Sequence, residues 1–155
     1  ISELMNQLFL VKHSKGAIGL RLFGLGPNLK PNKGLSKLQQ FLNRNTFWAK
    51  QRKIYELKEC LANSDVVISL WLNNEIVGFG RALSDGVYRG VLWDIVIDEN
   101  HQGKGYGKLI IKNLLESKKI KNTKKIYLMT TNQKLFYSQV DFTEVTSQNL
   151  LVREI

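Results

Sequence analysis

The chain has 155 residues, 43% hydrophobic and 23% charged, with 23 Lys and Arg against 13 Asp and Glu for a net charge of +10. That length and balance describe one globular domain with a real core and exclude a disordered chain. No apolar run approaches the roughly 18 residues that cross a bilayer, so no membrane partner is expected. The single cysteine, Cys60, leaves neither an internal disulfide nor a cysteine-based zinc cluster.

The first residue is Ile1 rather than Met, which leaves a targeting segment open. Leu4 to Val11 and Ala17 to Leu25 are apolar stretches separated by Lys15-Gly16 and read as a short strand pair. Both prolines fall in the segment from Pro27 to Gly34, read as a loop. Leu35, Leu38, Phe41 and Leu42 then recur at helical spacing, and after Asn45-Thr46 a second helix carries Ile54, Leu57, Cys60 and Leu61 on one face. Asp65 to Leu72 reads as a strand, Asn73-Asn74 as a tight turn, and Glu75 to Leu83 as its partner. Asp85-Gly86 turns the chain into a third strand, Tyr88 to Asp98.

That strand is β-branched and stops at Gln102-Gly103-Lys104-Gly105-Tyr106-Gly107-Lys108, which opens into an amphipathic helix bearing Leu109, Ile110, Ile111, Leu114 and Leu115 and ending near Lys119. Ile126 to Thr130 is a further strand, Asn132 to Gln139 a short helix, and residues from Phe142 onward supply one or two closing strands. A dense lysine patch (Lys118, Lys119, Lys121, Lys124, Lys125) lies where the preceding helix ends, where cations complement the dipole and stay solvated. No RNA-recognition or zinc-finger signature accompanies it, so a nucleic-acid partner is not expected, although a basic nucleic-acid-binding domain is the third reading of the chain.

The glycine turn carries the chemistry. A helix start presents unpaired N–H groups and the positive end of its dipole, and therefore attracts phosphate. Glycines let the backbone approach a ligand and adopt positive φ. The turn is not a Walker A loop, because Lys108 is followed by Leu109 and the position five before Gly107 is Gln102. Nor is it a dinucleotide fingerprint: its spacing is Gly-x-Gly-x-Gly, and no carboxylate lies near Tyr127. Gln-x-x-Gly-x-Gly, from Gln102 to Gly107, is similar to the pyrophosphate signature of the GNAT superfamily of acyl-CoA N-acyltransferases. The order of elements resembles the same family over residues 17–155, with 1–16 as an N-terminal addition, possibly a strand, to a single domain of residues 1–155. Leu135-Phe136-Tyr137 followed by Asp141-Phe142 resembles its aromatic helix, with Asp141 in place of a usual glycine. Asp tolerates the left-handed conformation that the glycine would adopt. The stretch from Arg81 to Asp98 looks like the cyanobacterial and plastid branch, which includes serotonin N-acetyltransferases and chloroplast protein acetyltransferases.

The resemblance implies an α/β (α+β) GNAT fold with a mixed, mostly antiparallel central sheet and helices on both faces. It implies acetyl-CoA as co-substrate, no metal, and a primary amine acceptor, either a small aralkylamine or a protein amine. The protein would be a monomer or homodimer in the cytoplasm or plastid stroma. Amides of Gln102, Gly103, Lys104, Gly105, Tyr106, Gly107 and Lys108 would wrap the pyrophosphate. The Ile95-Val96-Ile97 backbone would pair with pantetheine, with one N–H, that of Val96 or Ile97, facing the acetyl oxygen. Tyr137 would be the general acid and Asn132, at the start of the same helix, a CoA contact. Apart from the resemblance, Tyr137 reads as an amphipathic core residue and Asn132 as a helix N-cap.

Asp94 is the candidate general base, because a carboxylate between Trp93 and Ile95 in mid-strand is unusual. By strand alternation it lies opposite Trp93, Ile95 and Ile97, and a satisfied structural carboxylate is the competing reading. Asp85 is a second choice, more simply a turn residue, and His101 more simply packs at the turn. Phe47, Trp48 and Tyr88 border the acceptor region in this fold. A non-catalytic CoA-binding regulatory module is the alternative to an enzyme.

Overall fold

Among the described residues, five strands follow one another across a single sheet, β1 (Phe9–Ser14), β2 (Val66–Leu72), β3 (Glu75–Ser84), β4 (Arg89–Ile97) and β5 (Lys125–Tyr127). The first four are antiparallel and only β4–β5 is parallel, as expected for a mixed, mostly antiparallel sheet. Helices α1 (Pro31–Asn45), α2 (Ile54–Ala62), α3 (Tyr106–Leu115) and α4 (Lys134–Ser138) flank it. The computed structural model describes residues 7–14 and 31–155. The strand read at Ala17 to Leu25 lies outside the described residues. β1, inside the segment read as an N-terminal addition, pairs with β2 and is the outermost of the described strands.

The sheet is apolar on both faces because its strands alternate. Val67, Trp71, Phe79 and Val96 pack against Leu35, Leu38, Phe41 and Leu42 of α1 and Leu57 and Leu61 of α2. Ile68, Leu70, Ala82 and Leu92 face the other way, onto Ile110, Ile111 and Leu114 of α3. A Cβ on Gly80 would lie 2.8 Å from Ile110 Cγ2. The bare backbone there lets α3 close onto β3, which fixes where its N-terminus meets the end of β4. Asn73 and Asn74 have φ of 52° and 65°, the paired positive φ of a two-residue hairpin turn.

Four expectations need correction. Residues 31–34 are the first turn of α1 rather than loop; Pro suits a first helical position, where its missing N–H has no intrahelical acceptor to lose. α3 stops at Leu115 instead of near Lys119. Ser117 Oγ donates to the Asn113 carbonyl at 2.8 Å and Thr123 Oγ1 to that of Lys119 at 3.0 Å, so hydroxyls take over the carbonyls that a continuing helix would use. β5 holds three residues rather than five. No strand follows Phe142: residues 143–155 are exposed and lack regular structure.

Candidate active site

β4 and β5 pair only from Arg89↔Lys125 to Val91↔Tyr127. Beyond that point they separate, and a cavity of about 640 Å³ opens between Leu92, Trp93, Asp94 and Ile95 on one side and Leu128 to Gln133 on the other. The separation coincides with a bulge. Phe79 pairs with Val96 but Arg81 pairs with Trp93, so Asp94 and Ile95 together oppose Gly80. Asp94 takes φ of 55°, and such a kink re-aims side chains. Strict alternation therefore fails here. Ile95 still packs on the α3 face, whereas Trp93 shares the face of its register partner Arg81, and with it that of Asp94, contrary to the expected opposition.

Below the bulge the alternation is regular. The Asp98 N–H donates to the Val77 carbonyl at 2.9 Å. Antiparallel hydrogen bonding then directs the Val96 N–H towards β3 and the Ile97 N–H towards the edge left open by β5. Of the two amides named from sequence, that of Ile97 is the one available.

Asp94 is not a free carboxylate. Arg52 reaches it through both terminal nitrogens, at 2.8 and 3.1 Å, and Arg81 Nε lies 2.8 Å from the same group. Its side chain is 4% exposed. Burial pushes the Asp94 carboxyl up, but the hydrogen bonds and charges of the two guanidiniums outweigh it and hold the group below the usual carboxylate range. The reciprocal bond raises Arg52 above its ordinary value against its own burial.

Tyr137 lies on α4 across the cavity. Its ring makes edge contacts with Phe136 and Phe142, centroids 5.1 and 6.1 Å away. Burial raises its hydroxyl above the ordinary tyrosine value, so it stays protonated and able to donate at neutral pH. The helix ends through Asp141 at φ 71°, and Phe142 N–H returns to the Tyr137 carbonyl at 3.1 Å. The left-handed residue expected at this position is there. Asn132 also lines the cavity but is no cap: α4 begins two residues later, and Thr130 Oγ1 accepts from Gln133 N–H at 3.0 Å.

The glycine turn stands apart from this cavity, at the other end of the open edge. Gly103 and Gly105 have φ of 78° and 83°, with open space where a side chain would begin. The first intrahelical bond of α3 runs from Leu109 N–H to the Gly105 carbonyl at 3.1 Å, so Tyr106, Gly107 and Lys108 N–H precede the ladder. Gln102 to Gly105 are exposed, and Lys104 and Lys108 bring positive charge. Asp98 braces the turn. It is 6% exposed and accepts from His101 Nδ1 at 2.8 Å, Arg44 at 3.2 Å and Asn45 at 3.3 Å, while Asn45 Oδ1 accepts from Glu99 N–H. Burial pushes Asp98 up, and these donors bring it below the usual range. His101 is thus a structural partner of Asp98, stacked against Tyr106. The two regions meet at Gly107, where a Cβ would sit 2.9 Å from Cζ of Phe136, the chain neighbour of Tyr137.

Phe47 and Trp48 line the cavity mouth. Tyr88 does not; Lys124 sits over its ring at 5.0 Å. Asp85 caps its own turn, accepting from Val87, Tyr88 and Arg89 N–H, and those backbone donors lower it. In the lysine patch, Lys119 pairs with the buried Asp65 at 2.9 Å. Sequence reasoning missed Arg52, Arg81 and Asp98. Arg81 was within reach, since a carboxylate in mid-strand needs a counter-charge and the Asp85–Gly86 turn sets Arg81 near it.

Comparison with known proteins gives the family. The model of the acetyltransferase (GNAT) family matches residues 35–142, and the chain belongs to that family. It is 37% identical over 89 residues to the uncharacterized N-acetyltransferase ycf52 of Pyropia yezoensis, covering 55% of this chain and 50% of that protein. It is 32% identical over 85 residues to serotonin N-acetyltransferase 2, chloroplastic, of Oryza sativa subsp. japonica, covering 50% and 41%. The chain therefore spans about half the length of these relatives. A putative GNAT acetyltransferase from Xanthomonas campestris pv. campestris shares the fold, with a TM-score of 0.72 at 18% identity over 97% of this chain and 95% of that one.

Proposed function

We propose that this protein transfers the acetyl group of acetyl-CoA to a primary amine by direct attack within a ternary complex. The observation that carries the reading is that a protonated tyrosine and the open edge of β4 border one cavity, while a helix start with free amides lies at the other end of that edge. The diphosphate sits on the amides from Gln102 to Lys108, where backbone donors and the α3 dipole oppose its charge. The pantetheine arm lies along β4 from Ile97 to Ile95 as an added strand, with the Val96 side chain anchoring that strand in the core. Asn132 flanks the arm near the sulfur.

The amine nitrogen attacks the thioester carbon, and a main-chain N–H on the open edge of β4 stabilises the oxyanion as a fixed donor. As the carbon–sulfur bond breaks, the Tyr137 hydroxyl gives its proton to the leaving thiolate; the attacking nitrogen releases its surplus proton to solvent, and Tyr137 recovers one from solvent. Asp94, the base expected from sequence, has lowered proton affinity between two arginines. In this reading it holds Arg52 and Arg81, and the amine reacts from its neutral form. Among the described residues, the charged side chains lining the cavity are Arg52, Arg81 and Asp94, two cations against one anion, which disfavours a bound ammonium.

The test is calorimetric titration with CoA, followed by an acetyl-CoA turnover screen across arylalkylamines, polyamines and peptides with free lysine or N-terminal amines. Saturable CoA binding with transfer to one class is expected. Folded protein that takes up no CoA overturns the proposal, and CoA binding without turnover of any amine leaves the regulatory-module reading in its place.

A further inference from the structure

Arg52 has more donors than its partner uses. Of five guanidinium N–H groups, two go to Asp94, which leaves three, and no other side-chain acceptor meets them among the described residues. Its side chain is 31% exposed, against 15% for Arg81 and 4% for Asp94. Arg52 is therefore the member of the cluster that faces the cavity, and Asp94 holds it there from behind. Among the described residues, the lining carries no counterpart to the surplus positive charge. At the same mouth stand Phe47 and Trp48, 73% and 51% exposed, meeting edge to face with centroids 5.2 Å apart and planes at 84°. Large aromatics this exposed do no work in the core, and their perpendicular arrangement leaves ring faces open for another aromatic group.

We infer that the acceptor is an aromatic amine carrying a carboxylate beside its amino group, the ring held by Phe47 and Trp48 and the carboxylate by Arg52. The inference rests on the acetyl-transfer reading and narrows it. A carboxylate neutralises the surplus charge and meets the remaining guanidinium donors, the pairing for which arginine geometry is best suited. A plain aralkylamine fills the aromatic wall but leaves that charge uncompensated, and a polyamine adds to it. The three groups of an aromatic amino acid thus match the three chemistries around the cavity: aromatic wall, cation, and the thioester side marked by Tyr137.

The experiment compares kcat/KM for tryptophan and tryptamine, which differ only in the carboxylate, on the intact chain and on Arg52→Gln. Differences in amine basicity are the same on both proteins and cancel in the comparison. The tryptophan-to-tryptamine ratio should fall about tenfold in Arg52→Gln, equivalent to about 1.4 kcal/mol, and Arg52→Lys should keep part of it. Because both substrates are read on one preparation, partial loss of fold alters both rates and not their ratio. An unchanged ratio overturns the assignment while transfer to tryptamine preserves the acetyltransferase reading. Failure to acetylate any amine overturns that reading and this inference with it.

Discussion

The glycine turn and the cavity at the parted strands make their sites by different means. The turn is built from main chain: three glycines, two of them at positive φ, and a helix start whose donors exist whatever the side chains are. The cavity is built from side chains gathered from distant segments. Arg52 lies 42 residues before Asp94, and Tyr137 lies 43 after it. In the proposed reading, the first region takes a ligand part that never changes, a diphosphate. The second suits the part that differs between acyltransferases, the acceptor. The contrast teaches where variation is tolerable: side chains around the cavity can change without disturbing the cradle, provided that the contact between Gly107 and Phe136 survives.

The largest effect that would sharpen this division is at Tyr137. Replacement by Phe removes only the hydroxyl, so the edge contacts with Phe136 and Phe142 remain. Turnover should fall by about 10²–10⁴-fold, the usual range for a positioned acid, while calorimetric CoA affinity changes little. In the native protein the alkaline limb of the rate profile should lie above the ordinary tyrosine value near 10, because burial raises this group. Equal losses in rate and CoA affinity would erase the distinction between cradle and cavity.

Next in size is Asp94→Asn, which leaves two guanidiniums without their anion. Breaking a buried pair costs about 3–5 kcal/mol, and the partial exposure of Arg52 brings that towards about 2–3 kcal/mol in urea unfolding. The sign of the pH effect follows from the lowered carboxyl. Its stabilisation is present above the unfolded value near 3.9 and is lost as pH falls through the lower folded value. The variant should therefore lose less stability than the native protein on acidification below about pH 4. Were the native acidic limb of kcat/KM to flatten in Asp94→Asn with stability unchanged, Asp94 would be the base after all.

How much of this was readable beforehand follows the same division. Strands β2 to β4 and the core faces of α1, α2 and α3 were legible because period and burial coincide in Leu35, Leu38, Phe41 and Leu42 and in Ile110, Ile111 and Leu114. Glycine spacing also carried the turn, since it is a local backbone demand. The bulge was not legible. Nothing local in Trp93-Asp94-Ile95 announces a φ of 55°, which arises when Gly80 opposes two residues and Arg52 arrives from another element. Nor was the short reach of α3, because Ser117 competes for a carbonyl only once the chain has turned. The end of the chain misled for a related reason: Leu150, Leu151 and Val152 have strand-forming composition, yet they are 74%, 88% and 78% exposed and pair with nothing in the sheet.

A smaller test addresses the cradle alone. Gly105 holds φ of 83° as the residue before α3, and a β-branched residue in that conformation costs about 1–2 kcal/mol. Gly105→Val should weaken CoA binding by about tenfold in calorimetry, and turnover at saturating acetyl-CoA should stay near the native rate. A matching loss of kcat would mean that the turn does more than hold the diphosphate.

The smallest expected effect decides whether the two regions are coupled. Gly107→Ala keeps an ordinary helical residue in the first turn of α3, but its Cβ meets Phe136 Cζ at 2.9 Å. The ring is the far end of a partly buried side chain and can yield by a few tenths of an ångström, so unfolding should change by less than about 1 kcal/mol. Moving Phe136 also moves its neighbour Tyr137, whose hydroxyl must stay in line with the sulfur. The expected result is therefore a fall of a few-fold in kcat together with a similar weakening of CoA binding, since small misplacements of a positioned group are felt in the rate. Loss of affinity with an unaltered kcat would show that the cradle and the acid are set independently, and that Phe136 merely fills the space between them.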